Sequence, residues 1–175
     1  MLNLFSLSLK RRRSLALLGL GATMATLAAA AGSVQVSFDK PGEFSDAGRG
    51  TFDREQTMKS LSDFLQSLGA LLPDGQSLRL EVLDIDLAGE LRPFPRHSST
   101  EVRVLNGRAD APHIKLRYTL QEGGRILKSG EATVGDLAYL SSGHGSEAAY
   151  GDLPHEKRML QQWFKNTLTS NVRTR

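Results

Sequence analysis

Lys10-Arg11-Arg12-Arg13 precedes an apolar run from Ser14 to Leu27 that ends in Ala28-Ala29-Ala30-Ala31. The apolar run is short for a membrane span, which needs about 20 apolar residues. A basic segment, a short apolar segment and small residues at the cleavage point form the pattern of a cleavable export signal. The fold is therefore expected to use residues 32–175 alone, and the protein is expected to be periplasmic or secreted. Arg12-Arg13-Ser14-Leu15 matches a twin-arginine signal only loosely, so the general secretory route is favoured.

Removing the leader changes what the charge implies. The chain has 22 Lys and Arg against 19 Asp and Glu, with four of the basic residues at positions 10–13 and no acid before residue 32. Taking those four away leaves 18 positive against 19 negative side chains, a net of −1. A nucleic-acid partner needs a basic face to neutralise phosphate, and this remainder does not supply one. No transmembrane span is expected after cleavage. The chain has no cysteine, which excludes a thiol nucleophile, thiolate zinc ligands, lipid attachment and disulfides. The exported part must rest on its hydrophobic core, and its length suits one domain.

Hydrophobic periodicity divides that domain into elements. Val34, Val36 and Phe38 alternate with polar residues as a strand, and Pro41-Gly42 ends it. Asp53 is expected to cap a helix running to about Leu72, with Glu55 in its first turn. Met58, Leu61, Phe64, Leu65, Leu68, Leu71 and Leu72 form its apolar stripe. Leu78 to Leu87 reads as a second strand whose phase changes midway: Leu78, Leu80 and Val82 share one face, then Leu83, Ile85 and Leu87 the other. Either a bulge near Val82-Leu83 turns Asp84 and Asp86 to solvent, or both acids sit at the rim of a doubly buried strand. Leu91 to Arg96 is expected not to be strand, because Pro93 and Pro95 lack amide donors.

Three more strands follow at Glu101–Leu105, His113–Leu120 and Arg125–Val134, the last two joined as a hairpin at Gly123-Gly124. Ser141 to Ser146 reads as an exposed loop. A second helix starts near Asp152, with Pro154 in its first turn and Met159, Leu160, Trp163, Phe164 and Leu168 on one side. Trp163 is expected to anchor it. The order β-α-β-β-β-β-α predicts an α+β domain: a mostly antiparallel five-stranded sheet with two helices packed on one face.

The candidate sites are modest. Asp84, Asp86 and Glu90 form the densest acidic feature, with Arg92 close by in sequence and His113, on a later strand, as a further candidate for the same site. Two carboxylates two residues apart on one strand face suit a hard cation or an acid/base pair. The segment lacks a calcium-loop pattern, and the plain alternative has these acids bonded to amides or to Arg79, Arg92 or Arg96. His97, His113, His144 and His155 have no metal-ligand spacing and are expected at the surface. No Gly-x-Ser-x-Gly elbow is present, and no cofactor is implied. A contact surface is a further candidate: Lys115 and Arg117 with Arg103 as a basic stripe, and Phe94 between its two prolines.

Val34-Gln35-Val36-Ser37-Phe38, Phe44-Ser45-Asp46, Asp84-Ile85-Asp86-Leu87-Ala88-Gly89, Pro112 to Tyr118 and Glu156 to Phe164 occur together. The set resembles an uncharacterised family of exported proteobacterial proteins, a domain-of-unknown-function group whose most specific block is Asp-Ile-Asp-Leu-Ala-Gly. The resemblance implies a periplasmic single domain and transfers no catalytic residue. The leading expectation is a non-enzymatic domain that binds an envelope protein or a peptidoglycan- or lipid-associated component. The alternatives are a metal-dependent or acid/base hydrolase built on Asp84 and Asp86, and a small-ligand or lipid carrier.

Overall fold

The computed structural model describes residues 31–94, 97–141 and 147–169. Residues 1–30, on which the expected export signal falls, and the Ser142–Ser146 segment, with His144, lie outside the described residues, as do Arg96 and the side chain of Phe94. Strand β1 (Ser33–Phe38) is followed by helix α1 (Thr51–Ser67), strand β2 (Gln76–Asp86), strand β3 (Glu90–Phe94) and strand β4 (His97–Val104). Strands β5 (His113–Glu122) and β6 (Arg125–Gly135) come next, then a short helix α2 (Glu147–Tyr150) and helix α3 (Pro154–Phe164).

The main sheet has four strands in the order β1-β2-β5-β6. β1 runs parallel to β2, as α1 requires by carrying the chain back between them, whereas β2, β5 and β6 are antiparallel. The expected five-stranded, mostly antiparallel sheet is therefore replaced by a mixed four-stranded sheet and a separate two-stranded ribbon, β3-β4. Pro93 lies inside that ribbon opposite Glu101, so Leu91–Phe94 of the segment read as non-strand belongs to a strand, while Pro95 and Arg96 lie outside the described residues. In a two-stranded ribbon each strand keeps one unpaired edge, so a missing donor costs little there. The register shifts immediately after it, between Pro93 and Phe94.

One face of the main sheet carries the core. Leu78, Leu80 and Val82 of β2 and Ile114, Leu116, Tyr118 and Leu120 of β5 pack against Leu61, Leu65 and Leu68 from the α1 side and Met159, Leu160 and Phe164 of α3. Trp163 meets the Tyr118 ring edge-on at 5.6 Å, the anchoring contact expected of it. Leu71 departs from the predicted stripe: the helix tightens to a 3₁₀ turn over Leu68–Leu71, which rotates Leu71 to the surface and leaves Leu72 buried. α1 also begins earlier than expected, with Gly50 as its N-cap and Asp53 in its first turn rather than capping. Asp53 still favours the helix through the dipole.

The phase change in β2 is a bulge. Val82 pairs with Leu116 and Asp84 with Lys115, leaving Leu83 as the extra residue. Beyond it Ile85 returns to the core opposite Ile114, while Asp84 and Asp86 join Lys115 and His113 on the outer face. The β2–β3 turn then passes close under β4. Gly89 adopts φ 80°, and a Cβ there would lie 2.6 Å from the Val104 carbonyl oxygen and 2.7 Å from Leu105 Cδ2. Gly75 has the same φ with open space around it. Gly89→Ala is accordingly expected to lower unfolding free energy by about 2 kcal/mol or more in urea titrations, and Gly75→Ala by about 1 kcal/mol.

Candidate functional site

The site is built where the end of β2, the loop after β1 and the start of the β3-β4 ribbon meet. The loop crosses β2 beside β1. Asp46 N–H donates to the Ile85 carbonyl at 2.8 Å, and Leu87 N–H donates to the Asp46 carbonyl at 3.1 Å. Asp84, directed outward by the bulge, holds this loop with both carboxylate oxygens, accepting from Ser45 N–H and from its hydroxyl at 2.8 Å each. Arg103 of β4 closes the arrangement from the other side. Its guanidinium donates to both Asp46 oxygens, at 2.8 and 3.3 Å, and to the carbonyls of Ala88 and Gly89, at 3.2 and 2.9 Å. A forked guanidinium on a half-buried carboxylate is the strong form of a charged hydrogen bond.

Between these parts lies a cleft of about 460 Å³ lined by Ser45, Asp46, Asp86, Leu87, Gly89, Glu90, Leu91, Ala109 and Asp110. Four carboxylates face it. Asp86 lies 3.4 Å from His113 Nε2, both groups half-exposed. Burial raises the proton affinity of Asp86; His113 opposes this, Asp46 and Asp84 reinforce it, and Arg103 again opposes it. Asp110 is also pushed upward by burial, but the Tyr139 hydroxyl (2.8 Å) and the Asn106 amide (2.7 Å) donate to it and hold it below the usual range. Below the cleft, Ala88 N–H donates to the buried carboxylate of Glu156 at 2.8 Å, which ties α3 to the β2–β3 turn.

Several sequence candidates converge here: Asp84, Asp86, Glu90, His113 and Arg103 share the site or its rim. Arg92 does not enter it, pairing with Glu90 in solvent at 2.9 Å. Neither Asp84 nor Asp86 bonds Arg79 or Arg92, and Arg96 lies outside the described residues; Ser45 holds Asp84 and His113 lies beside Asp86. The basic stripe does not form. Lys115 and Arg117 lie exposed on the outer face of β5, where Arg117 is held by Glu81 and Glu131, whereas Arg103 belongs to the other ribbon and turns inward. His155 is buried, edge-on to Tyr139 at 4.8 Å, and is no surface histidine. Asp46, Asp110 and Glu156 were not singled out from sequence, because long-range packing alone brings them to this place. Among the described residues no group of three His, Asp or Glu side chains is arranged to hold a metal ion.

These features define an α+β fold with an open, acidic surface cleft. The chain matches the protein family described as "Protein of unknown function (DUF3016)" over residues 32–166, and it belongs to that family. No curated protein and no solved structure matches it. No described helix is long and apolar enough to cross a membrane.

Two outcomes follow from the geometry. Arg103→Ala leaves Asp46 and two carbonyls without their donor and is expected to cost about 2 kcal/mol in denaturant unfolding, while amide exchange at Gly48 rises. Asp86 has a folded-state proton affinity above its ordinary value of 3.8, so its charged form destabilises the fold at neutral pH. Asp86→Asn is expected to be more stable than the parent at pH 7. That advantage shrinks as pH falls through the raised value and disappears below about 3.8, which urea titrations at pH 7, 5 and 3.5 would follow.

Proposed function

We propose that this protein is an exported envelope protein that binds a partner without chemistry, and that the acidic cleft receives a cationic side chain of that partner. One observation carries the reading: Asp46, Asp86, Glu90 and Asp110 line one open cleft, and Arg103, the cation reaching in from β4, is spent on Asp46 and two backbone carbonyls. A lysine or arginine entering beside Asp86 relieves the repulsion that Asp46 and Asp84 exert on it, and Glu90, paired with Arg92 at the rim, adds negative charge at the entrance. The leader of residues 1–31 supports export, and the family match begins at residue 32, where the expected cleavage leaves off.

A hydrolase reading keeps one supporting observation, the 3.4 Å contact between His113 and Asp86 at the cleft rim. Among the described residues lining the cleft the hydroxyl is that of Ser45, which donates to Asp84 rather than to a histidine. The carrier reading has less support, since the space between sheet and helices is filled by Leu80, Ile85, Leu116, Leu160 and Phe164.

Titration of a lysine- and arginine-containing peptide, followed by amide chemical shifts at low ionic strength, is the deciding experiment. Shifts confined to residues 44–48, 86–91 and 107–110 are expected, weakened about tenfold or more in an Asp86→Asn, Glu90→Gln variant and by added salt. Shifts scattered over the surface, or unchanged in the variant, would remove the cleft as the contact. N-terminal sequencing of the protein recovered from the periplasmic fraction is expected to begin at Gly32; recovery only from the cytoplasm would remove the export part.

A further inference from the structure

The opposite edge of the main sheet has a different character. β6 is an edge strand of 11 residues without proline. Among the described residues its outer side makes no backbone hydrogen bond to any other segment. An edge of this length is a template for another strand unless it is blunted.

Two features along β6 have no partner among the described residues. The first is an apolar projection near its start. Leu127 is the extra residue of a second bulge, because Lys128 pairs with Leu120 and Ile126 with Gln121, and Ile126 and Leu127 are 59% and 39% exposed. The second is a groove of about 330 Å³ near its end, between Thr133, Val134 and Gly135 of β6 and Met159 and Trp163 of α3. The projection precedes Gly130 by three to four residues, and the groove follows it by three to five.

We propose that two copies of this chain pair antiparallel through β6 about Gly130, so that Leu127 of each copy enters the β6–α3 groove of the other. A two-fold axis at that residue sets position 128 opposite 132 and, because Leu127 is the extra residue, position 126 opposite 133, so each projection lies beside the stretch of strand that borders the other copy's groove. The charges follow the same symmetry. Arg125 and Lys128 occupy the first half of the strand and Glu131 and Asp136 its second half and just beyond, so antiparallel pairing sets a basic half against an acidic one, although within each copy Glu131 also holds Arg117, Asp136 meets Arg158 and Lys128 donates to the Thr167 carbonyl. Gly130 contributes no side chain at the axis, where Tyr118 already lies beneath it at 3.2 Å from a built Cβ. The result is a continuous eight-stranded sheet with the acidic clefts at its far ends. It is independent of what those clefts bind.

Sedimentation and light scattering of the purified protein over a concentration series are expected to report a dimer. Leu127→Glu acts at both symmetric contacts and is expected to raise the dissociation constant at least about tenfold, with an unchanged thermal midpoint at concentrations where both proteins are monomeric. The absence of native cysteine allows a second test. Ser129→Cys chains mixed with Glu131→Cys chains are expected to form a disulfide-linked heterodimer under mild oxidation, faster than either forms a homodimer, because the pairing sets 129 opposite 131. A monomer at all concentrations overturns the proposal, as does a dimer that survives Leu127→Glu and yields no preferential 129–131 cross-link.

Discussion

The extra residue Leu83 in β2 decides how this small domain presents its charges. Ahead of it Leu78, Leu80 and Val82 face the core; beyond it Ile85 does, although it follows Val82 by an odd step of three residues. A regular pleat would have buried Asp84 and Asp86 with the leucines, at a cost of several kcal/mol for each unpaired carboxylate. The bulge places both acids outside. Asp84 then captures the Ser45 loop, the loop brings Asp46 beside β2, and Asp46 supplies the carboxylate on which Arg103 closes. The acidic cleft is thus a consequence of one inserted residue.

The Arg103 contacts join parts that have little else in common. The β3-β4 ribbon is too small to be stable alone, since two strands bury too little surface. It is held where Arg103 reaches back to Asp46 and to the carbonyls of Ala88 and Gly89, with Gly89 allowing the close passage under Val104. Glu156 bonds the same turn from the α3 side, so sheet, ribbon and helix meet at Ala88-Gly89. Such a junction suits recognition: rigid elements fix the carboxylates, and the cleft above them remains open to a partner.

The two ends of the sheet divide the labour in the reading offered above. The β1-β2 side carries ionisable groups and the cleft, while the β6 side carries an unpaired ladder, exposed aliphatic residues and a groove. Between them the outer sheet face is polar and internally neutralised, as Arg117 bound by Glu81 and Glu131 illustrates. A solvated face of this kind resists non-specific association.

Much of the architecture was legible in the sequence because it rests on local periodicity. The alternation in His113–Leu120, the three- and four-residue spacing in α1 and α3, the role of Trp163 and the irregularity at Val82-Leu83 all follow from side-chain period and backbone geometry. The candidate acids were legible too, as was the outward direction of His113. Tertiary structure alone decided the rest. Pro93 entered a strand because its ribbon left an edge unpaired; β1 lay parallel to β2 because α1 returned the chain; Arg103 left the expected stripe because its strand joined a different sheet. Asp46, Asp110 and Glu156 became site residues through contacts with chain segments far away in sequence. Periodicity tells a residue which way it faces on its own element, but its partner is set by how the elements pack.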